Sequence, residues 1–202
     1  MSEKKRIFVP KGLVLAGFVA ITVFMVVVLT ACGNTTRSSS EITYENKIAG
    51  FSASFPKEPE VETSRENING LDVSTMDFDS GSGVEFTDVM VSTPVKKIAI
   101  SKIPEEEYKE YLIDGLRGTL HMFDTVLKPR DSGFNYAISS VDEYPCAVAI
   151  EPYVWIDEDG VEREEVYCYA MFLITPQQIY VVYGTRTSYN AAQAALDSFK
   201  LI

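Results

Sequence analysis

A run of apolar residues near the start of the chain constrains everything that follows it. Four cationic side chains precede the run, which extends from Leu13 to Leu29. As a helix this segment would be about 25 Å long, slightly less than the roughly 30 Å hydrocarbon core of a bilayer. Cationic residues before an apolar segment stay on the cytoplasmic side, so the pattern predicts that the rest of the chain is exported.

The apolar run ends in the tetrapeptide Leu29-Thr30-Ala31-Cys32, which is followed by a polar segment. Thr30 and Ala31 supply the small side chains that cleavage before a cysteine requires. This tetrapeptide resembles the lipobox of bacterial lipoproteins. The resemblance implies that Cys32 receives a diacylglycerol thioether, becomes the mature N-terminus and holds the chain on the extracytoplasmic face of the cell membrane. The alternative is an uncleaved transmembrane anchor with an incidental cysteine.

These features predict a signal peptide at residues 1–31, a flexible tether at 32–41 and one domain at 42–202. Residues 34–41 are polar and rich in serine and threonine, a composition typical of linkers. Removal of residues 1–31, which carry four basic groups and one acidic group, changes the net charge from −11 to −14. A surface this acidic argues against a nucleic-acid partner and against lying flat on an anionic leaflet.

Two cysteines besides Cys32 lie in the predicted domain. Cys146 and Cys168 flank a predicted hairpin around residues 157–160. A three-residue loop would place Cys146 opposite Phe172 and Cys168 opposite Ile150. Both cysteines would then share one face of the sheet, about 13 Å apart along the ladder, which is too far for a disulfide. We therefore expect two buried free thiols.

Periodicity predicts strands joined by turns, together with two helices. Pro104 opens the first helix, whose apolar face carries Tyr108, Leu112, Leu116, Leu120 and Phe123. The second is predicted from Tyr189 to Lys200, with Thr187 or Ser188 as its cap. Strands predominate elsewhere, and the last two run from Glu162 to Ile174 and from Ile179 to Thr185. This order of elements predicts an α+β domain with a central antiparallel sheet flanked by helices.

The stretch Gly50-Phe51-Ser52-Ala53-Ser54-Phe55-Pro56 resembles the opening strand of PsbP-like domains. Ala195-Leu196-Asp197-Ser198-Phe199-Lys200 is similar to the closing helix of that family. The resemblance covers residues 42–202 and implies an α/β/α sandwich. The family includes a photosystem subunit, a nuclear import factor and bacterial lipoproteins. It shares no catalytic residues that could be carried over, and a fold does not fix a function.

Sequence motifs for catalysis and metal binding are weak. His121 is the only histidine, and helical spacing places Asp114 and Arg117 near it. The chain has no Gly-x-Ser-x-Gly motif and no zinc-ligand spacing. Residues 77–88 match four oxygen positions of a calcium loop, but Ser82 stands where that loop requires glycine, so a β-hairpin is the preferred interpretation. We expect no enzyme activity, no metal and no cofactor.

The candidate partner surface is an acidic hairpin tip with neighbouring tyrosines. Its residues are Asp157, Glu158, Asp159, Glu162, Glu164, Tyr167 and Tyr169. Such a tip also serves simply to protect a sheet edge from pairing. The sequence thus favours a non-catalytic lipoprotein that binds another envelope component or assists assembly. A ligand-binding module with a tyrosine-lined pocket is the alternative, and an envelope hydrolase is a third hypothesis.

Substitution of Cys32 by alanine tests the lipid anchor. Because the thiol is the predicted attachment atom, Cys32→Ala should abolish incorporation of radiolabelled fatty acid into the protein in growing cells. Cys146→Ala is the matched control and should label like the parent chain. Equal labelling of Cys32→Ala and the parent would contradict lipidation at this residue.

Overall fold

The computed structural model describes residues 41–68, 71–82, 84–125, 127–130, 133–156 and 161–202. The predicted signal peptide and nearly all of the predicted tether, including Cys32, lie outside these residues. In the described part of the chain, no helix is both long enough and apolar enough to cross a bilayer.

Eleven strands and two α-helices form the described part of the domain. The strands are β1 (Ile42–Asn46), β2 (Phe51–Phe55), β3 (Glu60–Ile68), β4 (Leu71–Ser82), β5 (Glu85–Pro94), β6 (Leu127–Pro129), β7 (Ala137–Val141), β8 (Tyr144–Ile156), β9 (Glu162–Ile174), β10 (Ile179–Arg186) and β11 (Lys200–Leu201). The helices are α1 (Glu105–His121) and α2 (Tyr189–Asp197), and short 3₁₀ turns occur at Ile100–Lys102 and Phe123–Thr125.

Two antiparallel sheets account for all of these strands. The larger has the order β3-β4-β5-β10-β9-β8-β6, with β7 paired to β8 beside this path. The smaller has the order β1-β2-β11. Every residue of β10 is buried, as are the last seven residues of β9. These strands therefore need cover on both faces.

Helix α1 covers one face of the large sheet. Glu105, Glu106 and Glu107 occupy its first turn, where acidic side chains complement the helix dipole. Its buried residues include Tyr108, Leu112, Leu116 and Leu120, as the sequence predicted. The Tyr108 hydroxyl donates to the Ile174 carbonyl at 2.8 Å and ties the helix to β9.

The opposite face is covered by the small sheet together with α2. Phe51 and Phe55 alternate with serines along β2, so their rings point into this second core layer. The Phe51 ring meets Phe78 edge-on at 4.9 Å and stacks on Phe199 at 5.7 Å. Ser188 caps α2 by accepting a hydrogen bond from the Ala191 N–H at 3.3 Å. The two core layers, one on each face of the large sheet, therefore share the same central strands.

The predicted α/β/α sandwich is wrong, because the fold is mostly β-sheet. Helix α1 covers one face of the large sheet by itself. On the other face, where such a sandwich would have only helices, the three strands of the small sheet pack together with α2. The physical reason is that the strand at residues 51–55 joins β1 and β11 in a separate sheet, whose apolar face packs on the large sheet. Helix α2 also ends at Asp197 rather than at Lys200, because Lys200 and Leu201 pair with β2.

The two cysteines do not share one face of the sheet as predicted, because a β-bulge shifts the register. The β8–β9 register shifts between Val154 and Ile156 and places Cys146 opposite Leu173. Cys168 lies opposite Glu151, one residue away from its predicted partner. A one-residue slip reverses the face of a side chain, so the two thiols lie in different core layers. Both are buried and free, which confirms the expected thiol state.

Gly115 provides a test of how closely α1 approaches the sheet. A Cβ at this position would lie 2.5 Å from the Phe172 ring. Gly115→Ala should therefore lower the free energy of unfolding by about 1–3 kcal/mol, although alanine favours helices. Gly118→Ala is the matched control in the same helix and should be neutral or stabilising by up to about 1 kcal/mol. Urea denaturation of the two variants measures both values, and equal effects would contradict the close approach.

Candidate functional site

The predicted partner surface is only partly brought together by the fold. Asp157, Glu158 and Asp159 lie outside the described residues. Glu162 and Glu164 are exposed at the start of β9. Tyr167 is half-buried further along the same strand, and Tyr169 is completely buried. The described part of the surface thus ends at Tyr167.

Tyr169 is a structural residue beneath the sheet surface. Its hydroxyl lies 2.6 Å from the Thr87 Oγ1, and the Arg186 guanidinium lies over its ring at 5.3 Å. Burial raises the pKa of Tyr169 to about 12. Gly184, on the neighbouring strand, leaves room for the ring because a Cβ there would lie 2.5 Å from the Tyr169 oxygen. Tyr169 therefore cannot present its ring to a partner.

Charged side chains near the start of β9 neutralise each other across strands. Glu162 pairs with Lys128 at 3.2 Å and with Arg130 at 3.5 Å. Arg130 also pairs with Glu165 at 3.5 Å, and the Tyr167 hydroxyl donates to Glu165 at 3.1 Å. Ion pairs this exposed contribute little stability. They do reduce the local negative charge that the sequence alone assigned to this part of the surface.

A strip of apolar and aromatic side chains adjoins these ion pairs. We call it the β8–β9 strip, and it consists of Val148, Ile150, Pro152, Tyr167 and Tyr189. The first four are half-buried, and Tyr189 at the start of α2 is 51 % exposed. Pro152 lies opposite Tyr167 in the ladder, and the Tyr167 and Tyr189 rings meet edge-on at 6.1 Å. Partly exposed aromatic and aliphatic groups beside a charged rim are typical of protein-binding surfaces.

His121 lies in a different part of the domain and pairs with an unexpected partner. Its Nδ1 is 2.7 Å from the Asp124 Oδ2, and the Tyr153 hydroxyl donates to the Asp124 Oδ1 at 3.2 Å. The predicted neighbours, Asp114 and Arg117, pair with each other instead. A histidine held by a carboxylate can act as a general base.

A nucleophile for such a base is not evident near His121. Within the described residues, His121 makes no hydrogen bond to a serine, threonine or cysteine. The Cys168 thiol is completely buried, and burial raises its pKa far above the ordinary range. A thiol in that state is a poor nucleophile. The His121–Asp124 pair is best explained as a hydrogen-bonded surface pair at the end of α1.

The sequence did not predict a cluster of three carboxyl groups, of which Asp88 is buried and Asp77 and Asp79 are half-buried. Asp77 and Asp79 on β4 and Asp88 on β5 share the face of the sheet that α1 partly covers, and Asp79 lies directly opposite Asp88. Asp88 is only 7 % exposed and accepts a hydrogen bond from the Tyr183 hydroxyl. The Oδ1 atoms of Asp77 and Asp88 are both buried and lack a donor among the described residues.

One shared proton would satisfy the buried Oδ1 atoms of both carboxyl groups. Burial raises the pKa of Asp88 well above its ordinary value, and the nearby charge of Asp77 raises it further. Asp88 can then donate its proton to Asp77 while accepting from Tyr183. Burial and Asp77 also raise the pKa of Asp79. Within the described ranges, no group of three His, Cys, Asp or Glu side chains is placed to hold a metal ion.

The signal for this cluster was present in the sequence. The predicted β-hairpin over residues 77–88 puts Asp77, Asp79 and Asp88 on one face when the register is counted outward from the Ser82–Glu85 pair. The structure confirms the β-hairpin interpretation of residues 77–88. The burial of Asp88 follows from the β5–β10 pairing, which depends on residues nearly one hundred positions away.

Comparison with known proteins gives no family for this chain. No family model matches it, and a search of curated proteins finds no match. The resemblance to PsbP-like domains therefore stays a prediction.

Replacement of Asp88 by asparagine tests the shared proton. The pKa of Asp88 is raised in the folded state. The stability that its protonation contributes is therefore fully present below the pKa of Asp88 in the unfolded chain, and it is lost as pH rises through the pKa in the folded protein. Asp88→Asn mimics the protonated carboxyl at every pH. The variant should be about 1–3 kcal/mol more stable than the parent at neutral pH and similar to it in acid.

Urea denaturation of both proteins across pH 4 to 8 measures this difference. Asp114→Asn, at an exposed position of α1, is the control and should shift stability by at most about 0.5 kcal/mol. A difference between Asp88→Asn and the parent that does not change with pH would contradict the shared proton.

Proposed function

We propose that this protein is a lipid-anchored lipoprotein on the extracytoplasmic face of the cell membrane, where it binds another envelope protein without catalysing a reaction. The sequence Leu29-Thr30-Ala31-Cys32 after a long apolar run supports the anchor. The β8–β9 strip is the single structural observation that supports the binding role. Its aromatic rings and aliphatic groups are partly exposed at the margin of an otherwise covered sheet face.

Glu41, the last residue of the predicted tether, is held against the large sheet by Arg186. The Glu41 Oε1 accepts hydrogen bonds from the Arg186 Nε at 2.9 Å and from its Nη2 at 2.8 Å. Arg186 is itself buried, and it donates to the Phe86 carbonyl and to the Thr87 hydroxyl. A charge-assisted pair of this kind fixes a chain firmly. Force from a membrane anchor would therefore reach the central sheet directly.

A tyrosine-lined ligand pocket receives less support. The tyrosines that would line it are buried and occupied by hydrogen bonds within the fold. Tyr153 donates to Asp124, Tyr180 to the Ala49 carbonyl and Tyr183 to Asp88. An envelope hydrolase also receives little support, because Asp88, which lies beside the half-buried Asp77, is itself buried.

Site-specific photo-crosslinking in intact cells tests the binding role. A photo-reactive phenylalanine analogue placed at Tyr167 or Tyr189 should give a crosslinked adduct with another envelope protein, because both rings belong to the β8–β9 strip. The analogue at Tyr136, which is 47 % exposed but lies outside the strip, is the matched control. Mass spectrometry of the adducts identifies the partner.

Two outcomes of this experiment would overturn the proposal. Adducts from position 136 alone would place the binding surface elsewhere. Adducts from none of the three positions, with the protein present in the membrane at its normal level, would argue against a stable protein partner.

A further inference from the structure

Strand β7 is an edge of the large sheet that carries neither a charged residue nor a proline. Its sequence is Ala137-Ile138-Ser139-Ser140-Val141, and its first four side chains are exposed. Sheet edges are normally protected against pairing by charge, proline or cover. The other edge strands of the described residues follow that rule with Glu45 on β1, Glu60, Glu62, Arg65 and Glu66 on β3, Lys128 and Pro129 on β6, and Lys200 on β11. Within the described part of the chain, only β7 lacks such protection.

The pairing of β7 with β8 identifies the backbone groups that remain free. Val141 lies opposite Tyr144 across a two-residue turn, so this pair closes the hairpin with backbone hydrogen bonds. Hydrogen-bonded and non-hydrogen-bonded pairs alternate along an antiparallel ladder. Pro145, which has no N–H, lies opposite Ser140, as this alternation requires. The N–H and C=O groups of Ile138 and Ser140 therefore point away from β8, and no other described residue bonds to them.

Apolar side chains lie beside these free backbone groups. Ile138 is 41 % exposed, and Tyr136, just before the strand, is 47 % exposed. Ile138 lies opposite Ala147, on the face of the sheet that α1 covers. The Tyr136 ring stacks at 5.2 Å on Phe134, which packs against the same core layer. A strand added to β7 would therefore bury apolar surface as well as form backbone hydrogen bonds.

The sequence of β7 is complementary to itself in an antiparallel pair. When Ser139 lies opposite Ser139 of a second copy, Ile138 lies opposite Ser140 and exchanges hydrogen bonds with it. Ala137 then lies opposite Val141, so all five residues of the strand are paired. No charged side chain within the strand faces another, which removes the repulsion that opposes most edge pairings.

We propose that two copies of this protein associate through β7, antiparallel and edge to edge, so that the two large sheets form one continuous sheet. Both copies use the same strand under two-fold symmetry, so the assembly closes at a dimer and does not propagate. The inference rests on the proposed lipid anchor, which places both copies in one membrane.

The geometry of this dimer allows both copies to be anchored on the same side. The two-fold axis of an antiparallel pair stands perpendicular to the sheet, so both copies turn the same face to the same side. Glu41, at the end of the predicted tether, binds Arg186, which lies over the Tyr169 ring in the core layer beneath the small sheet. Both tethers would therefore start from the small-sheet face of the dimer.

The helices that cover each sheet leave room for the association. Helix α1 packs on β8 and β9, and α2 packs on β9 and β10. Since neighbouring strands are about 4.8 Å apart, each helix would lie roughly 20 Å or more from its counterpart in the second copy. This separation exceeds the width of a helix, which is about 10–12 Å.

Charged groups near the junction are paired or far from their counterparts. Antiparallel pairing places the two hairpin turns, residues 142–143 of each copy, at opposite ends of the junction. They are then roughly 20 Å apart, which exceeds the Debye length of about 8 Å at physiological salt. On α1, Lys109 pairs with Glu105, and Arg117 pairs with Asp114. Like charges are therefore not brought together at the junction.

The membrane compensates for the small size of this interface. Stable interfaces between proteins bury about 1,200–2,000 Å² in total, and an edge of five residues is small by that standard. Confinement of both copies to one membrane makes association nearly intramolecular, and effective concentrations then reach about the millimolar range. We therefore expect the dimer in the membrane and monomers in dilute detergent solution.

Cysteine crosslinking of the full-length protein in intact cells tests the inference. The variant combines Ser139→Cys with Cys146→Ala, because Cys146 lies opposite residue 139 within the chain. Directly opposite residues at the centre of the junction have Cα atoms about 4.5 Å apart, which is within disulfide range. Mild oxidation should give a covalent dimer. Ser64→Cys in the same Cys146→Ala background is the matched control, since Ser64 is an exposed serine on the charged edge strand β3, and it should stay monomeric.

A lysine placed on the edge provides the matched disruption. Ile138→Lys, added to the crosslinking variant, removes two symmetric apolar contacts and adds charge to the edge, so the dimer yield should fall roughly tenfold. Val61→Lys is the control, because Val61 is 44 % exposed on β3, and it should leave the yield unchanged. Both side chains are exposed, so both variants should keep the parent's melting temperature.

The outcomes separate this inference from the proposed anchor. Absence of the covalent dimer, with lipidated protein present in the membrane, would overturn β7 pairing and leave the anchor intact. Equal crosslinking from positions 64 and 139, or a yield that survives Ile138→Lys, would also overturn it. A photo-crosslink from position 136 to a second copy would support the dimer, and its mass distinguishes it from an adduct with a different protein. Protein isolated without attached lipid would contradict the anchor itself.

Discussion

Burial of the central strands on both faces is the constraint on which this structure depends. Strand β10 is buried at every position, and its neighbour β9 is buried over its last seven residues. Two apolar faces cannot be left in water, because each exposed aliphatic or aromatic side chain would forfeit about 1.5–3 kcal/mol. Helix α1 covers one face, and the small sheet with α2 covers the other.

The same constraint confines the binding surfaces to the margins of the sheet. Most tyrosines that attract attention in the sequence are core residues whose hydroxyls reach partners such as Asp88, Asp124 and Thr87. What remains partly exposed is the β8–β9 strip beside α2. This surface is small, and its apolar and aromatic chemistry is distinct from that of the acidic surface around it.

Local patterns in the sequence predicted much of the fold, and contacts between distant residues determined the rest. The spacing of Leu112 and Leu116 and the acidic first turn predicted α1, because helix formation depends on neighbouring residues. The sandwich prediction failed because nothing local shows that residues 51–55 form a separate sheet instead of joining the large one. The prediction that Cys146 and Cys168 share one face was wrong, because the residue types give no sign of the bulge near Val154.

Hydroxyl-radical footprinting of the protein in its own membrane, compared with the detergent-solubilised protein, tests most directly whether binding is confined to these margins. Confinement of binding to the margins of the sheet predicts that the membrane environment protects Tyr167 and Tyr189 on the β8–β9 strip. It also predicts that exposed side chains of β3, such as Val61, react equally in both samples. Protection of β3 without protection at the β8–β9 strip would contradict this confinement.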